Sequence, residues 1–300
     1  MREHIQIVEV GPRDGLQGEA QILPTATKVE LVRRLQAAGL RRIEVASFVN
    51  PKRVPQMADA EAVLAALGPE SREDCIGLVL NRKGFDRAHA AGCREVGMVV
   101  AATESFSQRN QGCSVEEGIA SWLEIAQAAR QAGVRAQITI STAFGCPFEG
   151  EVPRDKVLQL AERIAAGRPE EIAVADTIGV AVPTQVRGLL ADLQRALPDI
   201  AWRAHFHNTR NTGLANACAA LESGAATLDA SCGGIGGCPF APAATGNIPT
   251  EDLVYMLHRM GVQTGIDLPM LIDTSRWLQQ TLDHPVPGML VKAGIFPRTA

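Results

Sequence analysis

Three short stretches hold most of the side chains that could do chemistry: "GPRDGLQ" (Gly11–Gln17), "HFHNTR" (His205–Arg210) and "GGIGGCPFAPAATGN" (Gly233–Asn247). On a strand, side chains two apart share a face, so His205 and His207 point together while Phe206 takes the other side. Two imidazoles joined by the Asp14 carboxylate make a mixed nitrogen and oxygen set that suits a divalent cation. The competing reading makes one histidine a satisfied core residue and the other a partner for a loop, and the two letters alone do not decide. Glu44 stands in "RRIEVASF", where an unpaired buried charge is costly, so it needs a partner. Arg13 is the natural one, either as part of a site or as a plain buried ion pair. Asp176 in "VADTIG" reads as an active-site hydrogen-bonding group or as a cap. The cap is the weaker reading, because the next helix begins only around Thr184. Cys238 sits among glycines. It is either a structural thiol or an acid carried by a loop that closes over substrate. The other cysteines (Cys75, Cys93, Cys113, Cys146, Cys218, Cys232) form no ligand-like cluster.

Positioning these groups falls to a repeating pattern. Eight β-branched runs, "IQIVEV", "RRIEVAS", "CIGLVL", "EVGMVV", "AQITIS", "EIAVAD", "AWRAHFH" and "ATLDAS", alternate with helical stretches rich in Ala, Leu, Glu and Arg, several ending in glycine. Strands alternating with helices imply βαβ units and a parallel sheet. Eight units predict an α/β fold, a (β/α)8 TIM barrel over about residues 5–265, with extra C-terminal helices over about 266–300 in one domain of residues 1–300. An open doubly wound sheet is the rival, but the first turn lacks the GxGxxG spacing it would carry. Catalytic groups in a barrel come from the C-terminal strand ends. The eight ends deliver Arg13 and Asp14, Ser47, Arg82 with Lys83, Thr103 with Glu104, Ser141 with Thr142, Asp176 with Thr177, His205 with His207 and Asn208, and last Cys238 and Asn247.

Composition narrows the partners. The 300 residues are 46% hydrophobic, enough for a large core. A net charge of -4, with no long basic run and few aromatics, argues against nucleic acid. No apolar run reaches the roughly 18 residues of a membrane helix. "MREHIQIVEV" has no apolar signal-peptide core. An odd count of seven scattered cysteines without a CxxC suits a reducing, cytoplasmic setting.

Read together, "VEVGPRDGLQ", "IEVASFVNPKRVPQM", "FGCPFEG", "DTIGV", "HFHNTR…LANA", "GGIGGCPFAPAATGN" and "TEDLVYML" occur in the order found in the 3-hydroxy-3-methylglutaryl-CoA lyases, a family of metal-dependent barrel lyases that the chain resembles. The resemblance runs from about Val8 to Tyr255. It implies Mg2+ or Mn2+ held by Asp14, His205, His207 and Asn247. It makes Arg13 the group that offsets a thioester enolate, Cys238 the acid, Glu44 the residue that orders Arg13, and Asp176 a further catalytic polar group. Arg13, Ser47 and Thr177 would contact substrate, and His205 would take the hydroxyl proton through or beside the metal. The implied reaction is a retro-Claisen cleavage of 3-hydroxy-3-methylglutaryl-CoA to acetyl-CoA and acetoacetate, as in leucine degradation. The partner would be an acyl-CoA thioester, and barrel enzymes that pair through helices suggest a homodimer. Arg82, Lys83 and Arg109 either meet CoA phosphates or are solvated surface charges.

Three departures bear on the substrate. Asn208 stands where the family often has an aspartate, Ala20 replaces a cation after "RDGLQ", and "TRNTGLAN" replaces a Tyr-Gly version of that loop. These fit a relative acting on citramalyl-CoA or on a longer 3-substituted 3-hydroxyglutaryl-CoA. A synthase running the reverse condensation would carry an added domain, and a non-catalytic scaffold would have lost the site residues.

Overall fold

The computed structural model describes residues 3–237 and 246–297. All eight expected runs are strands: β1 (Gln6–Glu9), β2 (Ile43–Ser47), β3 (Cys75–Leu78), β4 (Glu95–Ala101), β5 (Arg135–Ser141), β8 (Ile172–Asp176), β9 (Trp202–Phe206) and β10 (Thr227–Ala230). They close into a parallel barrel in the order β1-β10-β9-β8-β5-β4-β3-β2, which is the (β/α)8 architecture. Sequence reading did not anticipate a short antiparallel hairpin between β5 and β8, made of β6 (Gly145–Cys146) and β7 (Gly150–Glu151). Four of the barrel strands, β2, β3, β8 and β10, are buried along their whole length. That is why they read as apolar runs and not as alternating ones: helices cover one face and the barrel interior the other.

The covering helices follow local rules. The helix Val115–Ala132 starts with a capping box between Ser114 and Glu117 and stops at Gly133, whose φ of 66° is left-handed. Ile119, Trp122, Ala126 and Ala129 repeat every three or four residues and are buried on the barrel side. At the C-terminus the helix Leu268–Leu282 packs on the helix Thr25–Ala37. It also reaches the segment after β10, where Cys232 Sγ lies 3.1 Å from Ser275 Oγ. Among the described residues, no helix is long and apolar enough to cross a membrane.

The barrel floor is polar, where aliphatic layers are usual. Arg42 pairs with Glu95 and with Glu171, the latter at 2.5 Å. Gln137 donates to Glu95 at 3.0 Å, and Arg203 donates to Thr139 Oγ1 at 3.1 Å. Burial works against the Arg42 charge, but Glu171 and Glu95 outweigh it and hold its pKa above the ordinary value. Each of these buried charges has an opposite charge beside it, the condition under which they can be tolerated.

Candidate active site

At the end of β1 the chain makes a single π-turn, Gly11–Gly15, in which the Val10 carbonyl accepts from the amides of Arg13, Asp14 and Gly15. Such turns often mark functional positions. This one swings Arg13 and Asp14 over the barrel mouth. Arg13 donates through Nε to Glu44 of β2 and through Nη1 to Asp14 Oδ1 at 2.7 Å. The pairing of Glu44 with Arg13 expected from sequence is therefore present, and both residues line a cavity of about 510 Å3 that opens at the C-terminal strand ends.

His205 and His207 enter the same cavity from the end of β9, their rings 5.1 Å apart, while Phe206 packs on the outer face against Phe144. Asp14, His205 and His207 each offer a ligand atom, all within 4.8 Å of one another. Asn247, which forms a bridge with His207, donates through Nδ2 to Asp14 Oδ2 at 2.8 Å and to the Ile235 carbonyl at 3.1 Å. Among the buried polar atoms here without a hydrogen-bond partner in the described residues are His207 Nδ1 and Asn247 Oδ1. Buried polar atoms normally find one. A divalent cation would satisfy both, and the nitrogen and oxygen donor set matches one.

The electrostatics agree with that use. Burial would raise the Asp14 carboxyl, but Arg13, His205 and His207, with the bond from Asn247, bring it down to about 2. Burial, helped by the neighbouring His205, pushes His207 down to about 4. His205 is raised: burial lowers it, but the Asp229 carboxylate outweighs that. Arg13 is also raised, since Glu44 and Asp14 overcome its burial. At neutral pH the site therefore offers an anionic Asp14 and a neutral His207.

Other expected residues fall differently. Thr177 lines the cavity, and its Oγ1 accepts from the Thr142 amide at 2.9 Å. The carboxylate of Asp176, expected as a catalytic polar group, accepts from the amides of Val180 and Ala181, both at 2.9 Å. Ala175 and Thr177 on either side of it face the cavity, so the alternation of the strand turns Asp176 outward. It braces the loop that leads into the helix Pro183–Ala196, whose N-cap position is Val182. Ser47 is 1% exposed, in register with Leu78, and lies outside the cavity lining. Cys238 lies outside the described residues, immediately after Gly237, which lines the cavity. Arg82 pairs with Asp86 at 2.8 Å, and Arg109 stacks over Phe148 at 4.3 Å. Neither they nor Lys83 line the cavity, though Phe106 and Asn110 of the Arg109 helix do. Asn208 accepts from the Gly213 amide at 3.1 Å and so secures the turn into the helix Gly213–Glu222.

Sequence reasoning missed two groups. Asp229 of β10 and Arg203 of β9 both line the cavity, and both are charges inside buried strands. That is the signal that singled out Glu44, and it was equally present in "TLDA" and "WRAHF". Thr142 was already expected at a strand end, but its backbone conformation was not. It is fully buried at φ 54°, a left-handed conformation that costs a threonine about 1 kcal/mol or more. Its amide ties the end of β5 to Thr177.

Comparison with known proteins agrees with the geometry. The HMGL-like family model matches residues 4–278. The (R)-citramalyl-CoA lyase of Chloroflexus aurantiacus is 45% identical over 99% of this chain and 97% of its own length. The hydroxymethylglutaryl-CoA lyase of Pseudomonas mevalonii is 43% identical over 88% of each. A structure of an HMG-CoA lyase from Acinetobacter baumannii, in complex with coenzyme A and 3-methylmalate, superposes with a TM-score of 0.93 at 39% identity, covering 99% of this chain and 97% of that one.

Proposed function

The chain belongs to the HMGL-like family, and from that premise we propose that it cleaves 3-hydroxy-3-methylglutaryl-CoA to acetyl-CoA and acetoacetate. The observation that carries the reading is the cluster of Asp14, His205 and His207 beside the Arg13–Glu44 pair in one cavity.

Asp14, His205, His207 and Asn247 would hold Mg2+ or Mn2+, which when bound supplies Lewis acidity toward the substrate oxygens. Breaking C2–C3 turns C3 into the ketone carbon of acetoacetate as the hydroxyl proton passes to His205, the base in this reading, and C2 into the enolate carbon of acetyl-CoA. The guanidinium of Arg13, held at the cavity wall by Glu44 and Asp14, meets the negative charge that develops on the thioester oxygen. Its donors are fixed before reaction, so little reorganisation is needed as charge appears. Proton return to C2 is assigned to Cys238, the residue after Gly237 at the cavity wall. Asp176 acts at one remove, holding the loop that follows Thr177. In this reading the chain is one catalytic domain that works in the cytoplasm as a homodimer.

A second substrate is favoured by a specific observation. The relative with 45% identity over nearly the whole chain is a citramalyl-CoA lyase. Citramalyl-CoA lacks one methylene between C3 and the free carboxylate, and the same bond cleavage would give acetyl-CoA and pyruvate.

The deciding experiment is a steady-state assay with both thioesters side by side, with Mg2+ and with EDTA. Metal-dependent acetoacetate from 3-hydroxy-3-methylglutaryl-CoA supports the first reading. Pyruvate from citramalyl-CoA, with the other thioester inert, replaces it with the second. EDTA-insensitive cleavage would sink the cation assignment.

A further inference from the structure

His205 reaches the cavity with one of its two ring nitrogens already committed. Nδ1 lies 3.1 Å from Asp229 Oδ2. The other oxygen of that carboxylate, Oδ1, lies 3.3 Å from Arg203 Nε. The three side chains come from adjacent strands. Arg203 precedes His205 by two residues on β9 and so shares its inner face. Asp229 follows Leu228, which is in register with Ala204. Arg203 is anchored further by Thr139 Oγ1 at 3.1 Å and Glu171 at 3.3 Å. Arg203 and Asp229 are only 3% and 4% exposed, so neither has room to turn away.

A carboxylate oxygen only accepts hydrogen bonds, so the hydrogen of this contact belongs to His205 Nδ1. We propose that Asp229, steadied by Arg203, is a positioning residue that fixes His205 as the Nδ1–H tautomer and turns its Nε2 toward the cation cluster. The two histidines of the HxH pair are then not equivalent. Among the described residues His207 has no hydrogen-bonded carboxylate behind it, and its Nδ1 is buried without a partner. His205 is oriented by a carboxylate in the manner common to metal-ligating imidazoles. Arg203 serves the same end, because its charge offsets that of the buried carboxylate and fixes the plane from which Asp229 addresses the ring.

This inference rests on the cation reading given above, and two measurements separate the two. The first is a long-range 1H–15N spectrum of the Mg2+-saturated enzyme, labelled at histidine. His205 should carry its hydrogen on Nδ1, and a hydrogen on Nε2 would overturn the proposal without any variant being made. The second is Mn2+ affinity, followed by electron paramagnetic resonance. Asp229→Asn keeps the shape but can present an amide N–H to Nδ1 and so invert the tautomer. It should bind Mn2+ about 10- to 100-fold more weakly, and Asp229→Glu should recover part of the loss. Wild-type affinity in Asp229→Asn would overturn the assignment. Failure of the wild-type chain itself to bind Mn2+ would remove the cation reading on which it stands.

Discussion

Asn247 and Asp14, 233 residues apart in sequence, are joined by a 2.8 Å hydrogen bond from Asn247 Nδ2 to Asp14 Oδ2. This bond crosses the seam where the first and last strands of the barrel meet. It leaves Asn247 Oδ1 without a partner and aims an amide donor at the carboxylate most lowered in pKa at the site. Gly236 makes the approach feasible. Its φ is 105°, and a Cβ there would stand 2.7 Å from Asn247 Nδ2. Asn247→Ala removes the amide from both roles, so Mn2+ affinity should fall by about 10-fold or more. Calorimetric titration of the variant against wild type checks this, and unchanged affinity would exclude Asn247 from the cation's shell.

Arg13 is assigned to developing charge and not to ground-state binding. Arg13→Met should lower kcat by about 10²- to 10³-fold, the usual cost of one such donor, with a much smaller change in KM. Removing the guanidinium also strands Glu44, which is 4% exposed. The double variant Arg13→Met/Glu44→Gln should therefore recover stability without recovering kcat. A change confined to KM would show that Arg13 binds substrate and transition state alike.

Cation binding should release protons in proportion to the fraction of His205 that is protonated in the free protein, which its raised pKa increases. The raised pKa of His205 places its proton in competition with the cation, whereas His207, at about 4, is already neutral. Below the His205 pKa, Mn2+ affinity should fall by about 10-fold per pH unit. A second proton should enter only near pH 4. Titrations between about pH 6 and 8 in two buffers of different ionisation enthalpy give the count. Two protons in that range would contradict the assignment.

Glu9 lies on the outer side of β1, away from the cavity. It accepts from the amides of Gly11 and Cys232 and from Thr250 Oγ1. Burial raises its pKa from 4.5 to about 7, against the lowering effect of those three bonds. The folded state therefore holds this proton more tightly than the unfolded chain. The resulting stability is fully present below about pH 4.5 and is lost as pH rises through about 7. Glu9→Gln keeps acceptors for the amides and removes the titration. Relative to wild type it should gain stability between about pH 5 and 8, with a ceiling of order 3 kcal/mol. Melting temperatures of the two proteins across that range test it, and a constant difference would show that Glu9 does not titrate there.

Much of the site could be read directly because its members are close in sequence or share a strand. Arg13 and Asp14 are neighbours, and His205 and His207 are separated by one residue. The two-residue period of a strand then guarantees a common face. The buried charge of Glu44 likewise called for a partner. The same reasoning, applied to "TLDA" and "WRAHF", would have found Asp229 and Arg203. Asn208, read as a change beside the metal ligands, also secures a turn through the Gly213 amide.

What the sequence determined, then, was the period: eight strand and helix units, a barrel, and which side chains must point together. What only the tertiary structure decided was which face of each strand looks inward and which strand ends meet. Parity along a strand cannot say that Asp176 faces a loop while Thr177 faces the cavity. Nor can it place Asp229 beside His205, or bring Asn247 back to Asp14. Those relations depend on strand register and on closure of the sheet, which are settled by packing the whole core at once and leave no trace in any one segment.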